Sequence, residues 1–474
     1  MLEPKVWQLT AGSVAAGLAL AAVVVAATGP WDSGQRRAER AWAAAQDRTG
    51  GAPHGAPAPR TPAPAPSAAG VLSPLRAADR TAAGLKAAPE VPPGLGRTLG
   101  ALLDDKALGP SRTASVVDAA TGRRLYGKGD AEPMIPASTV KIATMVAALS
   151  ALGPDHRIAT TVLAAPDGRR LTLVGGGDAT LDRTGLEALA DDTARALRDR
   201  GIDRIELRYD VSLYSGPREH PIGPNDNIAP VVALMSDQGR LDKSTSGPAP
   251  RSGNPAGDAA RVFAELLRER GVKTADAPKK GGASKGAKPL AKIHSAPLSA
   301  LVERTLTESD NDIAESLARQ TAIAAGLPAS FDGAGRAVQD RLRELGLPVA
   351  GARFADGSGL NRADRAGAAL LTALLAHAAD PAHPELRPVL TGLPIAGFTG
   401  TLRARYAREK PATGLIRAKT GTLTGVNALA GTVVGANGRL LAFAFMAGST
   451  EAPAAAQAAL DRLSAALLPA KAPR

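Results

Sequence analysis

The sequence predicts an α/β fold, an antiparallel sheet flanked by helices in a sandwich that a second domain interrupts. Three observations carry that expectation. Two short apolar runs in SVVDAATGRRLYGKG, residues 115–129, flank a turn-forming centre and lead into an apolar helix, MIPASTVKIATMVAAL, residues 134–149. Residues 414–448 read as three antiparallel strands, with reversals near residues 423–426 and at Ala436, Asn437 and Gly438, and an Ala-rich helix over residues 452–468 closes the chain. Between these ends the character changes: strand-like runs flank Pro166, Asp167 and Gly168, followed by a helix-like stretch over residues 186–200 and by IDRIELRYDVSLYSG.

Taken in chain order, residues 9–28 (LTAGSVAAGLALAAVVVAAT) are uncharged and mostly apolar, long enough to cross a bilayer and long for a signal-peptide core. Residues 1–30 are therefore expected to export or anchor the chain, and an uncleaved anchor and a removed signal both fit. Lys5 precedes the stretch and Arg36, Arg37 and Arg40 follow it, the reverse of the positive-inside preference, so export is favoured only by the chemistry found further along. Residues 31–94 are Ala, Pro, Gly and Arg with almost no bulky apolar side chain, a composition that cannot bury a core and reads as a disordered linker. Folding is expected to start near Leu95. Residues 95–157 and 293–474 are expected to form one domain and residues 158–292 an inserted one. The insert ends in PKKGGASKGAKP, residues 278–289, read as a flexible basic loop. Two helices follow in residues 298–326, broken at Glu308, Ser309, Asp310 and Asn311.

Composition narrows the chemistry. At 474 residues the chain has room for two or three domains. It has no cysteine, which excludes disulfides, thiolate metal sites and a thiol nucleophile. A net charge of +12 suits an anionic partner, but with 3% aromatic residues there is no aromatic-interleaved basic stretch to stack bases, so nucleic acid is not expected. The six histidines are scattered and make no metal motif. Gly175, Gly176 and Gly177 lack the residues of a phosphate-binding loop and read as a turn. Neither a metal nor an organic cofactor is expected.

The helix at residues 134–149 poses the functional question, because Ser138 and Lys141 lie one turn apart on a surface that is otherwise apolar. Alone, Ser138 reads as an N-cap and Lys141 as a side chain that snorkels to water. The sharper reading is a nucleophile and its base, which requires burial or a neighbouring cation to lower the lysine pKa. Ser138-Thr139-Val140-Lys141 is the single Ser-x-x-Lys of the chain and Lys419-Thr420-Gly421-Thr422 the single Lys-Thr-Gly, with Ser309-Asp310-Asn311 between them. By themselves the last two read as a helix cap and an edge strand entering a turn. A rival Ser-x-Asn at Ser252-Gly253-Asn254 sits among Gly and Pro before a helix and reads as a turn or cap.

In this order the three motifs resemble the signature of the penicillin-recognising serine D,D-peptidases and serine β-lactamases. Ser309 follows Ser138 by 171 positions, which suits members with a domain inserted between the first two motifs. VGGGDATL (174–181), DVSLYSGP (210–217), DGSGLNR (356–362) and LPIAGFTGTLRAR (393–405) are similar to D-alanyl-D-alanine carboxypeptidases/endopeptidases of the low-molecular-mass class C, penicillin-binding protein 4 type, serine peptidase family S13. The resemblance covers roughly residues 95–468, and the insert is short for members that nest a third domain. It implies a β-lactamase/transpeptidase-like sandwich with an inserted second domain, and a serine-type D-Ala-D-Ala carboxypeptidase, with endopeptidase action open, working on peptidoglycan stem peptides through a Ser138 acyl-enzyme.

The same resemblance implies roles: Lys141 as base, Ser309 as proton relay to the leaving amine, Asn311 on the substrate amide, and Lys419, Thr420, Gly421 and Thr422 around the terminal carboxylate, with the N–H groups of Ser138 and Thr422 as oxyanion hole. Like charge from the second ammonium group, together with desolvation, is expected to hold Lys141 neutral. β-Lactam antibiotics are implied as covalent inhibitors, the cell envelope outside the cytoplasm as location, and the N-terminal segment as the membrane contact. The basic loop is either a solvated hinge or a contact for anionic wall polymer. Two alternatives stay open: a serine β-lactamase, for which Glu344 occupies a tempting place but lacks its accompanying Asn, and an inactive wall-binding module on the same scaffold.

Overall fold

The computed structural model describes residues 94–435 and 438–468. The segments expected as anchor and linker, and the turn residues Ala436 and Asn437, lie outside the described residues, apart from Gly94. Among the described residues no helix is long and apolar enough to cross a membrane.

Helix α1 (Leu95–Leu103) buries Leu95, Leu99 and Leu103, one face at i, i+4, i+8. Strands β1 (Ser111–Asp118) and β2 (Arg124–Lys128) form the expected hairpin. Its reversal is held by Asp118 Oδ1, which accepts from Thr121 N and Oγ1, both at 2.9 Å. A 3-10 turn, Ala137–Val140, runs into α2 (Lys141–Leu152), most of which is buried.

A second sheet then begins with β3 (Ala159–Ala164) and β4 (Arg170–Val174), continues through α3 (Arg183–Arg198), β5 (Arg204–Asp210), α4 (Pro255–Glu269), β6 (Lys273–Thr274) and β7 (Lys279–Lys280), and ends at β8 (Lys288–His294). Its strand order is β6-β5-β4-β3-β8, with β7 also paired to β5. Helices α3 and α4 pack on it over a core of their own that includes Leu173, Leu189, Leu207, Phe263 and Leu267. The basic stretch at 278–289 is more ordered than a flexible loop: Lys279 and Lys280 pair in parallel with Arg208 and Tyr209, and Lys288 already belongs to β8. Lysines suit such short edge strands because their charges stay in water and discourage further pairing.

Helices α5 (Leu298–Glu308), α6 (Asn311–Ala324), α7 (Phe331–Glu344), α8 (Ala368–Ala379) and α9 (Arg387–Thr391) follow, then β9 (Ile416–Leu423), β10 (Val426–Val434), β11 (Leu440–Gly448) and α10 (Pro453–Ala465). The first sheet is antiparallel with order β2-β1-β11-β10-β9. Its two faces carry different side chains, as a period of two demands. Ala428, Ala430, Ala442 and Ala444 face the α2, α5, α6 and α8 side, while Leu429, Val433, Phe443 and Phe445 face α1 and α10. Small residues let the larger helical layer approach closely. Strand β9, which carries Lys419, is one edge of this sheet, and residues 394–396 hydrogen-bond along its outer side at Ile416–Ala418.

Candidate active site

The turn that bears Ser138 is strained. Ala137, just before it, has φ 47°, a left-handed conformation that costs a β-carbon residue about 1–2 kcal/mol. Two glycines hold it from either side. A Cβ on Gly421 would lie 2.6 Å from Pro136 O, and one on Gly359 2.1 Å from Ala137 O. The Lys-Thr-Gly strand and the 356–362 loop therefore clasp the Ser138 turn through backbone contacts that only glycine permits.

Ser309 and Asn311 are set by the junction of α5 and α6. Ser309 adopts φ 59°, ψ 40° at the end of α5, and Asp310 caps α6 by accepting from Ile313 N at 3.0 Å. The cap thus falls on Asp310, between the two residues expected to take part in chemistry. Ser138, Ser309, Asn311, Thr420 and Thr422 line a single cleft of about 460 Å³. Lys141 and Lys419 are fully buried behind it.

Lys141 Nζ lies 3.0 Å from Ser138 Oγ, 2.7 Å from Asn311 Oδ1 and 2.6 Å from the Ser358 carbonyl. Asn311 Nδ2 donates to Asn227 O at 2.9 Å, so one of its N–H groups is engaged within the protein. Lys419 Nζ donates to Thr420 O at 2.9 Å, Thr420 Oγ1 to Thr401 Oγ1 at 2.8 Å, and Gln457 Nε2 to Thr422 Oγ1 at 3.4 Å.

The electrostatics reverse one expectation. Burial lowers Lys141 to about 8, against the pull of Asp356, Asp310, Glu315 and Asp364, which favour its charged form. The like-charge repulsion falls on the other partner: Lys419 sits well below the usual lysine value because it is buried and because Lys141 is beside it. Lys141 has carboxylates around it and Lys419 has none among the groups that shift it, so the first proton of the pair resides on Lys141.

A buried polar network that the motifs do not announce supports the site. Glu315 Oε1 accepts from Gly357 N and Ser358 N, each at 2.9 Å, and Oε2 accepts from Arg319 at 3.2 Å. Asp356 accepts from Ser358 N, Gly359 N, Asn361 N and Ser358 Oγ, and its Oδ2 is 2.8 Å from His220 Nε2. Glu315 and Arg319 stand four and eight positions after Asn311, a helical spacing that was available as a signal. His220 and Asp356 are 136 positions apart, and nothing in the sequence pairs them.

His220, Glu315 and Asp356 come close enough to share a cation. Both carboxylates, however, are already saturated by N–H and O–H donors, and Arg319 adds a positive charge beside Glu315, so this donor set does not fit a metal. The rival motif is structural: Asn254 caps α4, and Ser252 Oγ bonds to Asp258. Glu344 is exposed at the end of α7 and paired with Arg341 at 3.0 Å, so it does not supply a deacylating carboxylate.

The chain is similar to known proteins over most of its length. Residues 95–250 and 242–467 match the sequence profile of the D-Ala-D-Ala carboxypeptidase 3 (S13) family. The chain is 39% identical over 391 residues to the carboxypeptidase DacB of Mycolicibacterium smegmatis, covering 79% of this chain and 84% of that protein. It is 37% identical over 429 residues to a carboxypeptidase of Mycobacterium tuberculosis, covering 86% and 90%. Among solved structures, penicillin binding protein 4 of Haemophilus influenzae shares the fold, with a TM-score of 0.65 at 23% identity over 77% of this chain and 97% of that one.

Proposed function

The chain belongs to the D-Ala-D-Ala carboxypeptidase 3 (S13) family, and from that premise and the geometry of the cleft we propose that Ser138 is its nucleophile and Lys141 the base that activates it. The protein is a serine-type D-Ala-D-Ala carboxypeptidase acting on peptidoglycan. The observation that carries the assignment is the 3.0 Å contact of Lys141 Nζ with Ser138 Oγ, made by a lysine whose other two neighbours are both acceptors.

In the first step Ser138 Oγ attacks the carbonyl carbon of the penultimate D-alanine and its proton passes to Lys141. The C–N bond then breaks, with Ser309 relaying a proton to the departing amine. Water attacks the resulting ester, loses a proton to Lys141, and Ser138 recovers its hydroxyl. The N–H groups of Ser138 and Thr422 face the developing oxyanion, an interaction worth about 3–4 kcal/mol in comparable sites. Lys419, Thr420, Gly421 and Thr422 form the seat of the substrate carboxylate, and Asn311 offers its remaining N–H to the substrate amide. A carboxylate entering beside Lys419 favours its charged form, which offsets the repulsion from Lys141.

Several finer features belong to the same reading. β-Lactams acylate Ser138, residues 9–28 anchor or export the chain, the enzyme works in the cell envelope outside the cytoplasm, and residues 158–292 form an inserted domain. The exposed Lys279, Lys280, Lys285 and Lys288 contact anionic wall polymer. Fluorescent penicillin should label the wild-type protein and leave S138A unlabelled; labelling of S138A at the wild-type rate removes the nucleophile assignment. Mass spectrometry of products from a defined cross-linked muropeptide separates carboxypeptidase from endopeptidase action: loss of terminal alanine alone marks the first, and cleavage of the cross-link the second.

A further inference from the structure

Both acceptors that hold Lys141 are themselves steadied from one segment, the chain between β5 and α4. Asn311, which accepts through Oδ1, donates through Nδ2 to the carbonyl of Asn227. Ser358, which accepts through its carbonyl, belongs to the loop whose Asp356 carboxylate meets His220 at 2.8 Å. His220 is buried, with its ring edge-on to Phe331 at 5.3 Å. Its Nδ1 accepts from Ile222 N at 3.3 Å, which leaves Nε2–H to donate to Asp356. The backbone and hydroxyl donors to Asp356 all come from residues 358–361 and move with the loop. His220 is the donor that ties this carboxylate to another part of the molecule.

We propose that His220 is a positioning residue for acyl transfer: by holding Asp356 it fixes the Ser358 carbonyl against Lys141 Nζ, and so aims the lysine lone pair at Ser138. The proposal rests on the reading of Lys141 as base. Its physical basis is the geometry of an amine. Once Lys141 has lost a proton, its two hydrogens serve Asn311 Oδ1 and Ser358 O, and the direction left for the lone pair is that of Ser138 Oγ. If the Ser358 carbonyl drifts, the amine rotates and the lone pair turns away. His220 does not line the catalytic cleft, so its influence runs through this chain of contacts and not through the substrate.

The titratable groups around Lys141 are Asp310 and Glu315 from the α6 region, Asp356 and Asp364 from the loop before α8, and Lys419 from β9. Glu315 in turn pairs with Arg319. Asp356 is held at about 2 by its donors, so it stays ionised through the range in which Lys141 titrates, and the loss of His220 acts on the position of the loop and not on its charge.

The test measures acylation by a fluorescent penicillin, resolved into affinity and saturating rate, across pH for H220L and H220Q. H220Q retains an N–H donor near the position of Nε2; H220N ends near Nδ1, falls short of Asp356, and replaces H220L should that variant fail to fold. H220L or H220N should lower the saturating rate about 10- to 100-fold, the range seen when a group behind a reacting residue is lost. Affinity should change less than about threefold, since the cleft is untouched. The acid limb, which belongs to Lys141, should stay near its wild-type position in every variant, while H220Q keeps most of the rate. A merely structural histidine would lower the melting temperature and leave the saturating rate of the folded protein unchanged, and that result overturns the proposal. So does an H220Q protein that melts cooperatively yet acylates as slowly as H220L or H220N. K141A, assayed in parallel, separates the two ideas: wild-type acylation by K141A ends the general-base reading, whereas an inactive K141A beside an unaffected H220L ends only the role of His220.

Discussion

The role proposed for Lys141 carries a pH dependence of definite sign. A base must be unprotonated to act, and burial brings this lysine down to about 8, so the acylation rate should rise with pH through that region. Because the repulsion between the two lysines is borne by Lys419, K419A should weaken the binding of a carboxylate substrate yet leave the acid limb near its wild-type position. A limb that moves to higher pH in K419A would mean that Lys419, and not burial, tunes the base. Asp364 makes a second residue-scale prediction. Burial and Asp356 push it up to about 10, and its Oδ2 has no partner of its own. From its ordinary value up to about 10 the native state holds a proton that the unfolded chain has released, so stability falls as pH rises through that window. D364N removes this dependence. Its advantage over wild type in denaturant melts should grow between pH 5 and 9, by at most about 1.4 kcal/mol per pH unit; parallel curves would show that Asp364 is ionised in the folded protein.

Among the elements, β9 and the Ser138 turn meet backbone to backbone. The third residue of Lys-Thr-Gly must be glycine because the strand runs directly against Pro136 O, with Ala137 Cβ 3.2 Å from where a methyl would stand. G421A therefore has to push β9 away from the nucleophile turn. Since Thr420 and Thr422 lie on the same strand and line the cleft, that shift should carry the carboxylate seat with it. Overpacking of this sort costs about 1–3 kcal/mol of stability, and a displacement near 1 Å at reacting groups can cost about 100-fold in rate. A cooperatively folded G421A with wild-type penicillin acylation would show that the clasp is not needed. The α5–α6 junction works on the same economy of space: left-handed Ser309 ends one helix, and Asp310 starts the next within a single residue.

For the whole molecule, the net charge of +12 finds a local expression in the second sheet, where Lys279, Lys280, Lys285 and Lys288 are all exposed. Replacing the four with glutamine should weaken co-sedimentation with isolated cell walls at low salt, where screening is least, and leave hydrolysis of a soluble peptide unchanged. Unaltered sedimentation would identify the stretch as a solvated edge. The segment between β5 and α4 joins this part of the chain to the catalytic cleft: Asn227 O reaches Asn311, Ala229 N reaches Asp312 at 2.9 Å, and Arg251 pairs with Asp312 at 2.9 Å. The placement of Asn311 is thereby tied to residues far from the motifs.

The sequence alone determined the α/β class, the hairpin at residues 115–129, the three closing strands and the three short motifs, because each depends on local signals: periodicity, turn residues and spacing. It also held the Ser138 and Lys141 relation, since one helical turn suffices to join them. What surrounds Lys141 was decided only by tertiary structure. Helical spacing puts Glu315 near Asn311 without showing what its carboxylate meets, the likeness of DGSGLNR to the family does not show what Asp356 holds, and His220 is one of six scattered histidines. Whether a lysine is neutral depends on how deeply it is buried and which charges lie within a few ångströms, and those distances span long separations along the chain, such as 170 positions to Asn311 and 217 to Ser358. The same reason assigned the repulsion to Lys419: two lysines in one site can be inferred from motifs, but which of them keeps the proton depends on the carboxylates that folding brings to Lys141.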